Sequence, residues 1–143
     1  PISLKISKNL IHETDLLVMN EPELENLTER TVERQNADSI GQAIKDLNLS
    51  TTQSVVVTLG SKGAYVYVNQ KGQLIEGYKV EAVDTTGSGD CFIGALASQY
   101  LESKDLLDSV NFANKAAALS VMKKGASASM PTMEEVVNFH QIT

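Results

Sequence analysis

Apolar positions along the chain follow two rhythms. Short β-branched runs mark buried strands, and apolar residues three or four apart mark helices, so the pattern is that of an α/β protein. Leu16, Leu17, Val18 and Met19 form the first run, about the length of a strand. Asn20, Glu21, Pro22 and Glu23 follow it, and Pro22 suits the first turn of a helix carrying Leu24 and Leu27. Ala37, Ile40, Ile44 and Leu47 fall on one face of a second helix, and residues 48–52 are a polar break. Val55, Val56, Val57, Thr58 and Leu59 are nearly continuous in apolar character, as expected of a strand covered on both faces. Gly60, Ser61, Lys62 and Gly63 then turn the chain. A strand at 64–68, a turn at 69–72 and extended pieces at 74–75 and 78–83 predict an antiparallel hairpin flanking a parallel sheet.

The second half reads as helical. Phe92, Ala95, Leu96, Gln99 and Tyr100 mark one face, with Gly94 and Ala95 small enough for close packing against the sheet. Asp105 is placed to cap the next helix, whose stripe is Leu106, Val110, Ala113, Ala117 and Val121; Asn114 falls off that stripe, where an amide faces solvent. Lys123, Lys124 and Gly125 make a C-terminal stop, and Thr132 with Glu135 forms a capping box ahead of Val136, Val137 and Phe139.

Composition narrows the classes of function. The 143 residues suffice for one domain, and 12 basic against 18 acidic residues give a net charge of −6, which argues against nucleic acid or a membrane surface as a partner. No run approaches the length of a membrane-spanning helix and no signal peptide is visible. The single cysteine, Cys91, excludes an internal disulfide and a cysteine-rich zinc site, and a reducing compartment such as the cytosol is the simplest fit. His12 and His140 stand apart from any metal-ligand spacing. The chain starts at Pro1, so a fragment of something longer is expected.

The chemistry concentrates between Asp84 and Ala95, in the string DTTGSGDCFIGA. It reads as a strand end, a small-residue turn and a helix start. Gly87, Ser88 and Gly89 let the backbone lie close to a ligand, and the peptide N–H groups there and in the first helical turn form an anion site. Asp90 stands at the mouth of that site, placed to take a proton from an attacking hydroxyl. The residues alone leave a second reading open, in which Asp90 is only a helix N-cap and the glycines only a tight turn. Asn20 and Glu23, one helical turn apart beyond the C-terminal end of a strand, either face a common ligand or simply cap and charge a helix. Thr58, Leu59, Gly60, Ser61, Lys62 and Gly63 form a two-glycine turn, with Lys62 either meeting a phosphate or solvated.

The longer string resembles the second signature of the ribokinase-like (PfkB-type) carbohydrate kinases, roughly D-T-x-G-A-G-D-x-F-x-G-A, with Ser88 in place of the usual Ala. The resemblance runs in order from about Leu16 to Pro131 and looks like the C-terminal half of such a kinase. It implies a three-layer α-β-α fold with a mostly parallel sheet and a flanking hairpin. It implies ATP-dependent phosphorylation of a sugar's primary hydroxyl, most simply D-ribose to ribose 5-phosphate, with Asp90 as general base and also in contact with the sugar. The T-x-G-x-x-G segment from Thr58 to Gly63, together with Asn20, Gly89, Asp90 and a base contact at Asn114, is then the nucleotide side, and Glu23 places Mg²⁺ through water. Within SVMKKGASASMP, the residues Ser120, Lys123, Gly125 and Ser129 match the monovalent-cation loop of the ribokinase branch, with Asp84 and Thr86 on its companion side and K⁺ the expected ion. The family's sugar-binding and lid portion, through which subunits pair as a homodimer, has no counterpart here. A non-catalytic nucleotide-binding or assembly module, or a kinase for fructose, adenosine or another sugar, is the competing expectation.

Overall fold

β1, Leu16–Asn20, runs parallel to β2, Ser54–Thr58, with Leu17 opposite Val55 and Met19 opposite Val57. β3, Gly63–Val68, returns antiparallel beside β2, and β4, Lys71–Glu76, lies next to β3, giving the order β1-β2-β3-β4. This computed structural model describes residues 8–122 and 131–137. Among them the sheet is mixed, because the hairpin follows β2 at once and leaves β1–β2 as the parallel pairing. Asn69 and Gln70 hold φ of 53° and 64°, a two-residue turn whose twist matches the strands. The turn is therefore tighter than the expected 69–72, and Lys71 and Gly72 join the strand. Residues 78–83, expected to be extended, add no strand: the amide of Gly77 goes to the Lys62 carbonyl and that of Val83 to Val121, so the sheet ends at Glu76.

The chain divides into two compact units, Pro1–Leu59 with Ala64–Leu74 and Gly60–Gly63 with Ile75–Thr143. In the first, α1 is Lys8–Glu13, α2 is Glu21–Thr28 and α3 is Ala37–Lys45. The buried side chains of α2 and α3, Leu24, Ile40 and Ile44, pack with Val55, Val57 and Leu59 into one apolar cluster. Val56, also fully buried, points to the other face of β2, so that strand is covered on both sides as its unbroken apolar run predicts. Gln53 is buried, and its amide donates to the carbonyls of Ile11 and Thr14, fastening the end of α1 to the start of β2.

The link from α2 to α3 is held by charge. Glu25 accepts from the Val32 amide at 3.0 Å and from Arg34, and these two partners hold its carboxyl below its ordinary value of 4.5. Asn36 caps α3 by accepting from the Ser39 amide.

In the second unit, α4, Ser88–Ser103, and α5, Leu106–Val121, form a helical pair, and Asp105 caps α5 by accepting from the Asp108 amide as expected. Phe92, Leu96, Leu106, Val110 and Ala113 are buried. α6, Met133–Val137, opens on the expected reciprocal box between Thr132 and Glu135. Gly94 departs from expectation: it is exposed, and a Cβ there would meet nothing within 4 Å, while Ala95 beside it packs against Cys91, Ala116 and Val136. The stop at Lys123, Lys124 and Gly125, and the positions of Phe139 and His140, lie outside the described residues.

Two outcomes test this packing. Leu24→Ala should cost about 2–5 kcal/mol in denaturant unfolding, whereas Leu101→Ala, at 70% exposed, should stay within about 0.5 kcal/mol. Because the carboxyl of Glu25 titrates below 4.5 in the folded chain, its contribution is present above that pH and is lost as pH falls through the folded value. The stability gap between the wild type and Glu25→Gln should accordingly close on acidification below about 4.5, and a gap independent of pH would remove the role assigned to the charge.

Candidate active site

The turn into α4 is built from main-chain bonds. The last residue of α5, Val121, has a carbonyl with no onward helical partner, and it accepts from the amides of Val83 at 2.6 Å and Asp84 at 3.0 Å. Asp84 Oδ1 then accepts from the Thr86 amide at 2.9 Å, and the Ser88 amide donates to Thr85. Gly87, at φ 79°, turns the chain in the left-handed region and serves as the N-cap of α4.

This settles one alternative left by the residues alone. Asp90 is not the cap: it lies at the third helical position, and no side chain caps α4. Among the described residues, the amides of Gly87, Gly89 and Asp90 meet no protein acceptor. A Cβ at Gly89 would find open space, so the protein itself does not require glycine there. What the glycine leaves free is room outside the helix, in front of its unpaired donors and the positive end of its dipole. Ser88 is half-buried, and Asp90 is exposed. Asp90 also stands on the rim of an apolar cleft of about 290 Å³ whose walls include Cys91, Phe112, Ala116, Pro131 and Val136, and it is the one carboxylate among the lining residues. Cys91 is buried, its thiol directed at the Ala116 carbonyl; burial raises its pKa, offset in part by a hydrogen bond with Ser120.

Asn20 and Glu23 realise the capping arrangement in full. Asn20 Oδ1 accepts from the Glu23 amide at 2.8 Å, and Glu23 Oε2 accepts from the Asn20 amide at 2.8 Å. Both residues are exposed, so Glu23 Oε1 and the Asn20 amide nitrogen remain on the surface. The cap uses Asn20 Oδ1 and Glu23 Oε2 and leaves the other polar atoms exposed.

The Thr58–Gly63 segment is also accounted for residue by residue. Thr58 ends β2 and Leu59 is buried in the first unit's core. Gly60, Ser61 and Lys62 form one exposed 3₁₀ turn, with Gly60 at φ 61° and no neighbour within 4 Å of a Cβ. Gly63, at φ 113°, is different: a Cβ there would fall 2.1 Å from the Ile75 carbonyl oxygen. Asn114, expected to face solvent, is buried, and its Nδ2 donates to the carbonyls of Ile75 at 3.2 Å and Glu76 at 3.4 Å. The apolar stripe hid this, because the polar residue is spent on main-chain oxygens rather than on water. Its Oδ1 carries no such bond.

Of the cation-loop candidates, Asp84 is half-buried, Thr86 is exposed, and Ser120 is buried with its hydroxyl donating to Ala117 at 2.8 Å, which uses its proton and leaves its oxygen lone pairs. Lys123, Gly125 and Ser129 lie outside the described residues. No group of three or more His, Cys, Asp or Glu side chains able to hold a metal occurs among the described residues, and no helix among them is long and apolar enough to cross a membrane. Three residues that the sequence reading passed over meet in this unit: Tyr78, Asn111 and Lys115. Their signal was two polar positions, Asn111 and Lys115, four apart on a mostly apolar helix.

An irregular turn into a helix whose first amides meet no acceptor among the described residues, with a carboxylate at the third position, is able to receive an anion. Residues 3–133 match the model of the pfkB family carbohydrate kinases, and the chain belongs to that family. It is 38% identical over 135 residues to a ribokinase of Haemophilus influenzae, covering 94% of this chain and 43% of that protein. It is 35% identical over 133 residues to fructokinase-1 of Zea mays, covering 87% of this chain and 39% of that protein. The structure of Arabidopsis thaliana ribokinase complexed with ribose and ATP superposes with a TM-score of 0.84 at 32% identity, over 96% of this chain and 45% of that one. The fold is thus ribokinase-like, and the chain spans less than half the length of these relatives.

The two kinds of glycine give a direct test. Gly63→Ala should destabilise the fold, since backbone atoms rather than a flexible side chain block the Cβ at 2.1 Å. Gly89→Ala should leave stability unchanged or raise it by up to about 1 kcal/mol, as alanine favours a helix interior. Equal effects in thermal unfolding would contradict the distinction.

Proposed function

We propose that the natural protein carrying this chain transfers the terminal phosphoryl group of ATP to the primary hydroxyl of a sugar, D-ribose first, giving ribose 5-phosphate and ADP. The single observation that carries this reading is the start of α4: a glycine N-cap and, among the described residues, amides without protein acceptors and a carboxylate at the third position without a hydrogen-bond partner. Asp90 accepts the proton of the attacking hydroxyl, and the amides of residues 87–90 left without acceptors donate to the charge that develops on the transferred phosphoryl. Gly89 keeps the approach open.

The nucleotide borders Asn20 and the Thr58–Gly63 segment, with Asn114 Oδ1 offered to a base amine. The exposed Glu23 oxygen suits Mg²⁺ held through water, a fit consistent with donors too few to strip its hydration shell. Mg²⁺ would supply neutralisation of phosphate charge. Asp84 and Thr86, with Ser120, Lys123, Gly125 and Ser129, would contribute carboxylate, hydroxyl and carbonyl oxygens to a monovalent cation such as K⁺. The buried thiol of Cys91 suits a reducing cytoplasm, and pairing into a homodimer would belong to the lid portion of the longer relatives. The fructokinase likeness keeps fructose as the alternative acceptor.

Asp90→Asn in the full natural chain should lower sugar-dependent ADP release by about 10²–10⁴-fold while ATP affinity changes little. Turnover within a few-fold of wild type would refute the role. ATP binding by the full chain with no ADP release on any sugar would instead favour a non-catalytic nucleotide-binding or assembly module.

A further inference from the structure

Residues 75–78, a strap made of the last two residues of β4 and the two that follow, are gripped from two sides within the second unit. On one side stands a single face of α5, where Asn111, Asn114 and Lys115 are spaced at i, i+3 and i+4. The Tyr78 hydroxyl donates to Asn111 Oδ1 at 2.9 Å, and the Lys115 ammonium lies 5.8 Å from the centre of the Tyr78 ring. Asn114 Nδ2 holds the two preceding carbonyls, of Ile75 and Glu76. On the other side stands the Gly60–Gly63 turn. The Gly77 amide donates to the Lys62 carbonyl at 2.9 Å, and a Cβ at Gly77 would fall 2.6 Å from the Ser61 carbonyl oxygen. With Gly63 closed against the Ile75 carbonyl, the turn has no slack against the strap. Any movement of the strap is therefore a movement of the turn.

We propose that Tyr78 and Asn111 are positioning residues that fix the Gly60–Gly63 turn for the nucleotide, acting through the strap and touching no ligand themselves. This rests on the reading that the turn borders ATP. A turn of one 3₁₀ step, all of whose residues but Gly63 are exposed, has little packing of its own to define it. The strap supplies the definition, and the Tyr78–Asn111 bond fixes the strap's far end to a 16-residue helix.

The test uses Tyr78→Phe, Asn111→Ala and the double variant in the full natural chain. Tyr78→Phe keeps the ring under Lys115 and removes only the hydroxyl, and alanine is well tolerated in a helix. Loss of one neutral hydrogen bond should speed exchange of the Gly77 amide by about 3–10-fold and raise KM for ATP by a similar factor. Turnover and the sugar KM should stay within about twofold, and the double variant should be no worse than either single one. Unchanged Gly77 exchange would overturn the clamp. Faster exchange with an unchanged KM for ATP would overturn the turn's service to the nucleotide. A wild-type chain that binds no ATP would instead remove the underlying functional reading, a failure seen without any variant.

Discussion

The carbonyl of Val121 is the constraint from which the site follows. A helix leaves its last carbonyls unpaired, and at the end of α5 one of them takes two amides from the segment that leads into α4. That bond fixes where the next turn begins. Asp84 then orders Thr86, Thr85 takes the Ser88 amide, and Gly87 swings the chain into a helix in a conformation that excludes most side chains from the cap. The consequence is a helix whose first turn is held from behind by main-chain atoms and left unsatisfied in front. The exposed amides at the start of α4 are open to water or to an anion, and Asp90 beside them makes no side-chain hydrogen bond among the described residues.

The rest of the second unit gives that first turn a rigid base. α4 and α5 bury Phe92, Leu96 and Val110 between and around them, and the cleft beside Asp90 is walled almost entirely by carbon. Apolar walls raise the worth of each hydrogen bond made at their edge, and Asp90 is the carboxylate at this one. In the first unit, the parallel pairing of β1 with β2 delivers Asn20 to the strand end, and the capping box holds both Asn20 and Glu23 in one geometry without covering them.

Much of this was legible in the residues. The unbroken run from Val55 to Leu59 predicts a strand buried on both faces, and the small residues ahead of an apolar helix predict a turn there, although the turn falls at Thr85–Gly87 and Ser88 and Gly89 already belong to α4. That Asp90 is not the N-cap was not legible from the residues alone, because an Asp close to a helix start is compatible with either position; the N-cap geometry at Gly87 separates them. Asn114 was misplaced to solvent because periodicity counts apolar residues and is blind to a buried amide that satisfies carbonyls. Residues 78–83 carry strand-forming side chains, yet their ends are claimed by Asn111 and Val121, contacts distant in sequence that no local pattern reports. Gly94 shows the converse: a small residue invites a close-packing reading, and the structure puts nothing near it.

The most direct test of the central claim is a crystal structure of the full natural chain with Mg²⁺, a non-hydrolysable ATP analogue and ribose. The account predicts the terminal phosphate within hydrogen-bond distance, about 2.7–3.2 Å, of the amides at the start of α4, with the Asp90 carboxylate facing the sugar's primary hydroxyl. A triphosphate seated elsewhere, with those amides still turned to water, would contradict it.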